Sequence, residues 1–207
     1  MAAAPILNIA TPTEGSGEYA RRPVDSVVAV TDPQLVVRPA QRSEIPALLE
    51  AAQAAIGSQL APLDVVLEVL DHDPDSVWAF DRLGRLVGGL ALLFLTEEGV
   101  SALVDGSLNR LAPSHSMLVG PREKPKGIYL WSLYSTRRGA AGLTHCFVRL
   151  QGPRYANADL WAGPNTNDGL RFNRTHGFIP VPGGWPGLHR YRRRTREGVG
   201  QAFGGGQ

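Results

Sequence analysis

Cysteine is almost absent from this chain, because Cys146 is the only one among its 207 residues. A lone cysteine cannot form an intrachain disulfide, which excludes a small domain held together by disulfide bonds. The absence of disulfides fits a reducing compartment. We therefore expect a cytoplasmic protein.

Long hydrophobic runs are absent as well. The longest apolar stretch, residues 90–95, is far shorter than the roughly 20 residues that a membrane-spanning helix needs. The first residues, 1–8, lack the basic start and the strong apolar run of a secretory signal peptide. We expect no contact with a membrane.

Neither sign of charge dominates, since 21 basic and 19 acidic residues leave a net charge of +2. The exception is a basic cluster near the C-terminus, where a single acid, Glu197, accompanies several arginines. The cluster consists of Arg190, Arg192, Arg193, Arg194 and Arg196. Such a cluster attracts phosphates or nucleic acid. A solvated edge strand followed by a tail explains it as well, and we favour that interpretation.

Composition divides the chain into three parts. Residues 1–33 are rich in Ala, Pro, Thr, Gly and Ser without a sustained period, which predicts a flexible extension. Residues 195–207 are rich in glycine and predict a flexible tail. Between them, residues 34–194 are long enough for one domain with a proper core.

Hydrophobic periodicity predicts an α+β fold. Strands are expected at 35–38, 76–81, 86–95, 127–135, 158–161, 178–181 and 188–192. Helices are expected at 45–56, with Ser43 as its N-cap, and at 63–71, 140–150 and 166–175. Residues 100–104 fit a strand. The polar segment 105–126 is punctuated by Pro and Gly, and with it residues 96–126 form either a lid-like insertion or flexible filler.

One strand opens into a helix through a small, cationic turn. The apolar strand 127–135 leads into Arg137, Arg138, Gly139, Ala140, Ala141 and Gly142. The N–H groups at a helix N-terminus lack intrahelical partners and attract anions, and small residues let a ligand approach the backbone. The turn therefore predicts a phosphate-binding loop.

A second motif follows at Asn165–Phe178, where a helix begins near an asparagine and ends at Gly177 before an apolar strand. The order of strand, basic small-residue loop, helix, strand, helix and Gly-Phe resembles the C-terminal half of the GNAT superfamily of acyl-CoA-dependent N-acyltransferases. The resemblance extends over roughly residues 35–193. It implies a mixed, largely antiparallel central sheet flanked by about four helices.

The resemblance also implies a co-substrate, acetyl-CoA or another acyl-CoA, with no metal. Leu133, Tyr134 and Ser135 would pair with the pantetheine arm, the loop from Arg137 to Gly142 would hold the pyrophosphate, and Asn165 and Asn173 would border the pantetheine end. The acceptor would be an amine on a small molecule, a peptide or a protein. Many relatives are dimers, so a homodimer is compatible.

One position departs from the family pattern. Many members carry a tyrosine four residues before the glycine of the second motif, where it protonates the departing thiolate, and Asn173 stands there instead. Three explanations stay open. A hydroxyl of Tyr134, Ser132 or Ser135 acts in its place, the thiolate leaves unassisted, or turnover has been lost.

The general base that some relatives carry on the strand 127–135 is absent too, because this strand holds no acid. Neighbouring segments offer Glu97, Glu98, Asp105 and His115, and His115 is of most interest because a histidine titrates near neutral pH. The catalytic candidates are therefore Tyr134, Ser132 and His115.

Two other functions fit the same sequence. One is a catalytically silent GNAT-like module that binds CoA or a macromolecule, which the missing tyrosine favours. The other is a toxin-like enzyme that acylates aminoacyl-tRNA, which the arginine cluster suggests. A metal site at Asp71, His72 and Asp73 is not expected, because consecutive helical residues do not face one point.

Overall fold

A computed structural model describes residues 32–57 and 59–193. The strands are β1 (Leu35–Pro39), β2 (Val77–Arg82), β3 (Arg85–Leu95), β4 (Gly127–Ser135), β5 (Asp159–Ala162), β6 (Ile179–Pro180) and β7 (His189–Tyr191). The helices are α1 (Ile45–Ile56), α2 (Leu63–His72), α3 (Glu97–Asp105), α4 (Ala141–Arg149) and α5 (Asn167–Thr175). The two predicted flexible tails lie almost entirely outside the described residues.

The strands form a single sheet in the order β1-β2-β3-β4-β5-β7-β6. Every neighbouring pair is antiparallel except β4 and β5, which run parallel. This arrangement confirms the predicted α+β class and the largely antiparallel sheet. The described part has five helices rather than about four. None of them has both the length and the apolar character that crossing a bilayer would take.

Helices cover both faces of the sheet. Along β2, Val77 and Ala79 pack with α1 and α2, whereas Trp78 and Phe80 pack with α4 and α5. Side chains alternate between the two faces of a strand, so these helix pairs lie on opposite faces. Helix α3 joins the α1–α2 face through Leu93 and its neighbours. The α4–α5 face encloses the largest apolar cluster.

The strand expected at 100–104 is wrong, because these residues belong to α3. The hydroxyl of Thr96 accepts a hydrogen bond from the N–H of Gly99 at 3.1 Å, which caps the helix. Two acids occupy the first turn, and Gly106 ends the helix with a φ of 83°. A side-chain cap, acids at the N-terminus and a left-handed glycine together outweigh the strand preference of two valines.

Ser43 is not the N-cap of α1, because the helix begins at Ile45 after a 3₁₀ turn. Glu44 occupies the N-cap position instead, although its side chain makes no capping hydrogen bond to α1. Its carboxylate accepts a bond from the N–H of Gln41 at 2.8 Å, while its own N–H donates to the carbonyl of Gln41 at 2.9 Å. Arg38 binds the same carboxylate through both terminal nitrogens. The reciprocal pair with Gln41 moves the start of the helix past the serine.

Residues 96–126 are bound to the sheet more closely than a polar insertion suggests. Leu108, Leu118 and Val119 are buried. The N–H of Val119 donates to the carbonyl of Phe94 at 2.9 Å, and that of Lys126 donates to Leu95 at 2.9 Å. The segment therefore returns to the end of β3. Its portion at residues 108–111 lines the larger of the two cavities described below.

Candidate active site

The sheet splits between its two parallel strands. β4 and β5 pair from Gly127 to Leu130 on one side and from Asp159 to Ala162 on the other. β4 then continues to Ser135, and on this side no described strand pairs with it. β5 ends before Gly163 and Pro164, and a proline cannot donate a hydrogen bond to a strand ladder. The split leaves a stretch of β4 main chain open.

A β-bulge in β4 lies at the start of the split. Ser132 pairs with Ala91 on β3 and Leu130 pairs with Leu92, so Trp131 is the extra residue. A bulge changes which residues share a face of the strand. Tyr129, Trp131 and Ser132 consequently line the same cavity, although simple alternation would separate the last two.

The larger cavity, of about 410 Å³, lies on the face of α1 and α2. Its wall is mainly aliphatic, and it is covered by the loop at 108–111. Its polar lining residues are Gln59, Asn109, Arg110, Tyr129, Trp131, Ser132, Tyr134 and Asn165. Thus the cavity combines an apolar body with hydroxyl groups that lie along β4.

The smaller cavity, of about 140 Å³, lies on the opposite face against α4 and α5. Leu133, Leu143 and Phe172 contribute apolar walls. The two cavities share five lining residues, namely Leu60, Trp131, Ser132, Gly163 and Asn165. Four of the five surround the split between β4 and β5, where the two cavities meet, and Leu60 lies between α1 and α2.

Asn173 lines the smaller cavity and is 2% exposed. Its Nδ2 atom is buried and has no hydrogen-bond partner among the described residues. Its main-chain carbonyl accepts a bond from the N–H of Phe178 at 2.9 Å, so the residue is held in place. A buried amide donor without a partner is costly. An acceptor atom of a ligand in this cavity would remove that cost.

The predicted phosphate loop forms a 3₁₀ turn, Arg137–Gly139, followed directly by α4. No side chain caps either element. Arg137 and Arg138 are exposed, and neither forms an ion pair with a described residue. The turn leaves β4 just after Ser135, which lines the smaller cavity. None of the residues from Arg137 to Gly142 lines either cavity, although Ser135 before the turn and Leu143 after it line the smaller one.

The glycines of this loop are explained by packing. A Cβ on Gly139 would lie 2.6 Å from the carbonyl oxygen of Val87, and one on Gly142 would lie 2.8 Å from the ring of Phe80. Both positions are buried against the sheet. The small residues bring α4 close to β2 and β3, and close approach to a ligand is not needed to account for them.

Comparison with solved structures shows which known folds the chain resembles. The loading GNATL domain of CurA from Lyngbya majuscula superposes with a TM-score of 0.52 and 10% identity, over 76% of this chain and 97% of that one. Ard1 from Thermoplasma volcanium gives a TM-score of 0.49 and 13% identity, over 78% and 99%. A GNAT-family acetyltransferase from Streptococcus agalactiae gives 0.49 and 16%, over 78% and 96%.

The chain has a GNAT-like fold. This confirms the resemblance that the order of motifs predicted. No protein-family model and no curated protein matches the sequence. The likeness is thus one of fold.

Within this GNAT-like fold, the residues predicted on β4 divide between the two cavities. Tyr134 lines the larger one, Leu133 the smaller one, and Ser132 both. Ser135 is 1% exposed, and its hydroxyl donates a hydrogen bond to the carbonyl of Thr136 at 2.9 Å. The hydroxyl proton of Ser135 is therefore already used in a hydrogen bond within the turn. Ser132 and Tyr134 are therefore better placed than Ser135 to contact a substrate.

His115 and the three predicted acids lie elsewhere. None of the four lines either cavity. His115 is exposed and stacks on His72, with ring centroids 4.9 Å apart. Asp105 accepts a bond from the N–H of Ser107 at 2.8 Å, and bonds from this serine lower its pKa. Nowhere in the described ranges do three His, Cys, Asp or Glu side chains gather as a metal site would require.

Two residues of the site were missed by sequence reasoning. Tyr129 is 3% exposed and lines the larger cavity. Burial raises the pKa of its phenol, and the neighbouring Arg110 guanidinium opposes that rise. Tyr129 and Trp131 are two residues apart in β4, and this spacing predicts that their side chains lie on the same face of the strand. Arg110 lies in a segment without periodicity, so nothing in the sequence connects it to the tyrosine.

The described arginines of the C-terminal cluster mostly serve the fold. Arg190 pairs with Asp159 and lies over the ring of Trp161, 4.8 Å from its centroid. Arg193 donates to the carbonyls of Leu150 and Tyr155. Arg194 and Arg196 lie outside the described residues. Binding of nucleic acid through this cluster stays a prediction, although two of its cations already have internal partners.

Proposed function

We propose that the chain is an acyl-CoA-dependent N-acyltransferase that transfers an acyl group, most simply acetyl, to a primary amine by direct attack. The observation that carries this proposal is the meeting of the two cavities at the split between β4 and β5. A transfer between two bound molecules needs two sites whose reacting ends touch. An opening through the sheet supplies that contact.

The coenzyme would occupy the side of the smaller cavity. The open main chain of β4, from Trp131 to Ser135, offers hydrogen bonds to the amide groups of a pantetheine arm. Arg137, Arg138 and the uncapped N-terminus of α4 offer charge and N–H donors to the phosphates. The buried donor of Asn173 would find its acceptor on the same ligand.

The acyl-CoA supplies an electrophilic thioester carbonyl and a thiolate leaving group. The amine nitrogen forms a bond to the carbonyl carbon, the carbon–sulfur bond breaks, and its electron pair leaves on sulfur. Main-chain N–H groups of β4 at the split polarise the carbonyl oxygen. Asn173 donates a hydrogen bond to the departing sulfur but delivers no proton to it.

The amine must also lose a proton, and no carboxylate is found among the residues that line the larger cavity. Ser132 and Tyr134 are hydroxyl groups on that side of the split. We assign them to the transfer of the amine proton towards solvent. A reaction without a strong base suits an amine that arrives neutral.

The experiment combines equilibrium binding of acetyl-CoA with a free-thiol release assay over a panel of amines, peptides and aminoacyl-tRNA. Cys146 is fully buried and its burial raises the pKa of the thiol, so a thiol reagent reports only the released coenzyme. We expect saturable binding and amine-dependent release. Failure of acetyl-CoA to bind would overturn the proposal.

A second function is favoured by one observation, namely the asparagine at position 173. Without a proton donor beside the sulfur, the chain would serve as a catalytically silent module that binds the coenzyme. Tight binding of acetyl-CoA with no thiol release from any acceptor would establish this alternative. We further propose a cytoplasmic location, which localisation of the tagged chain would test.

A further inference from the structure

The larger cavity contains a single charged residue. Arg110 is the only Lys, Arg, Asp or Glu among its lining residues. No carboxylate of a described residue lies within ion-pairing distance of this guanidinium. Arg110 is itself an exposed residue, so the cavity is bordered by a positive charge with which no described carboxylate pairs.

The position of Arg110 is fixed from two directions. The indole N–H of Trp131 donates to the carbonyl of Arg110 at 2.7 Å. The guanidinium lies over the ring of Trp185, 4.1 Å from its centroid. Both partners are held themselves, because Trp131 belongs to β4 and the N–H of Trp185 donates to the carbonyl of Val104 at 3.1 Å. A cation that is held in this way loses little entropy when it binds an anion.

The same guanidinium lies close to the split. It neighbours the phenol of Tyr129. The oxygen of that phenol lies 3.1 Å from the position that a Cβ on Gly163 would occupy, and Gly163 lines both cavities. An anion bound by Arg110 would therefore lie on the side of the larger cavity that borders the split.

The rest of the cavity is apolar. Its aliphatic wall is formed by α1, α2 and the strands beneath them, with Ile45, Leu48, Leu49, Ala52, Val66 and Ala91 among its members. Burying an apolar side chain of a ligand there is favourable. A ligand side chain with an ammonium group would be disfavoured, because it would meet an apolar wall and the positive charge of Arg110.

We propose that the larger cavity binds an α-amino acid with an apolar side chain, whose carboxylate pairs with Arg110 and whose amine faces the split. This ligand class rests on the proposed acyl transfer, for which the larger cavity is the acceptor site. A guanidinium binds a carboxylate through charge-assisted, often bidentate hydrogen bonds. Because the amine and the carboxylate of the ligand are attached to the same carbon, this pairing also fixes the position of the amine relative to Arg110.

The test compares L-leucine with L-leucinamide, which has the same body but lacks the carboxylate. Calorimetric binding is measured in the presence of CoA for the wild-type protein, Arg110→Gln and Arg110→Lys, with Arg122→Gln, an exposed arginine outside both cavities, as the matched control. We expect the wild type and Arg122→Gln to bind leucine at least tenfold more tightly than leucinamide. Arg110→Gln should abolish this preference, and Arg110→Lys should retain part of it.

Thiol release with acetyl-CoA is measured on the same variants, so that the two proposals can be separated. Equal affinity for leucine and leucinamide, no binding of either, or a preference that survives Arg110→Gln would overturn the ligand class, even where another amine releases thiol. A preference lost in Arg110→Gln, without thiol release from any amine, would support the ligand class and overturn the transfer.

Discussion

At the scale of single residues, Asn173 connects the sequence motif to the site most directly. It occupies a position where the resemblance leads one to expect a tyrosine, and it is buried beside the smaller cavity with an unpaired donor. An acceptor atom of a bound coenzyme would remove the cost of that buried donor, and we propose that Asn173 makes this contact. In the proposed reaction this residue binds the coenzyme and donates no proton.

Replacement of Asn173 by Ala should therefore weaken acetyl-CoA binding. We expect a loss of about 1–2 kcal/mol, which is roughly tenfold in Kd. Isothermal titration calorimetry measures it, with Asn167→Ala, at an exposed position on the first turn of α5, as the control. Equal affinities for Asn173→Ala and the wild type would mean that the amide does not contact the coenzyme.

At the scale of elements, ion pairs and close glycine contacts hold the helices around the site. Glu44 starts α1, which forms one wall of the larger cavity. The hydrogen bond from Arg38 is the main cause of the lowered pKa of Glu44, and burial opposes it. A carboxyl with a lower pKa in the folded state stabilises the fold above its unfolded pKa of about 4.3, and this stabilisation is lost as pH falls.

Arg38→Gln should accordingly lower the free energy of unfolding at pH 7 by about 1–2 kcal/mol. Near pH 3, below the unfolded pKa of Glu44, the difference from the wild type should shrink, because this carboxyl binds a proton more readily in the unfolded chain. Urea denaturation at both pH values measures it. Arg42→Gln is the control, since its pair with Asp71 is largely exposed, and such pairs contribute about 0–1 kcal/mol. A loss at pH 3 as large as that at pH 7 would contradict the assignment.

Gly139 permits the close contact between the phosphate loop and β3. A methyl group there would meet the carbonyl oxygen of Val87, which belongs to the backbone and cannot move aside easily. Gly139→Ala should destabilise the fold by about 1–3 kcal/mol. Chemical denaturation measures this, with Gly120→Ala as the control, because a Cβ on Gly120 would meet nothing within 4 Å. Unchanged stability with lost affinity for acetyl-CoA would instead show that the glycine serves the ligand.

At the scale of the whole molecule, the split in the sheet lies where the two cavities meet. The larger cavity lies against α1 and α2 and the smaller one mainly against α4 and α5, although Ile56 and Leu60 also line the smaller one. Since most of the lining residues are not shared, we expect that binding in one cavity can be blocked without abolishing binding in the other. This is the property that the proposed transfer reaction requires.

Ala91→Phe tests that separation, because Ala91 lines the larger cavity and lies opposite Ser132 in the β3–β4 ladder. We expect the affinity for acetyl-CoA to stay within about twofold and amine-dependent thiol release to fall at least about tenfold, since the ring excludes the acceptor. Ala47→Phe, on the exposed side of α1, is the control. Equal loss of coenzyme affinity and turnover would show that the cavities are not independent.

Much of the fold could be predicted, but less of the site. The strands at 127–135 and 86–95 and the helix at 45–56 follow periodic patterns that their bounds confirm. The helix at 97–105 was not predicted, because the strand preference of its two valines obscured the N-cap at Thr96. Ser132, Leu133 and Tyr134 do line the cavities. Which of the two faces each of these side chains lies on depends on the bulge at Trp131, and no local sequence pattern predicts that bulge.

By itself, the sequence determined the order and type of most elements, the basic turn after β4 and the asparagine at position 173. These features follow from local periodicity, caps and residue chemistry. Tertiary structure decided where the sheet splits, that Arg110 lies beside Tyr129, and that His115 stays away from both cavities. Contacts between residues far apart in the chain depend on how helices and strands pack, and that packing is not written in any one segment.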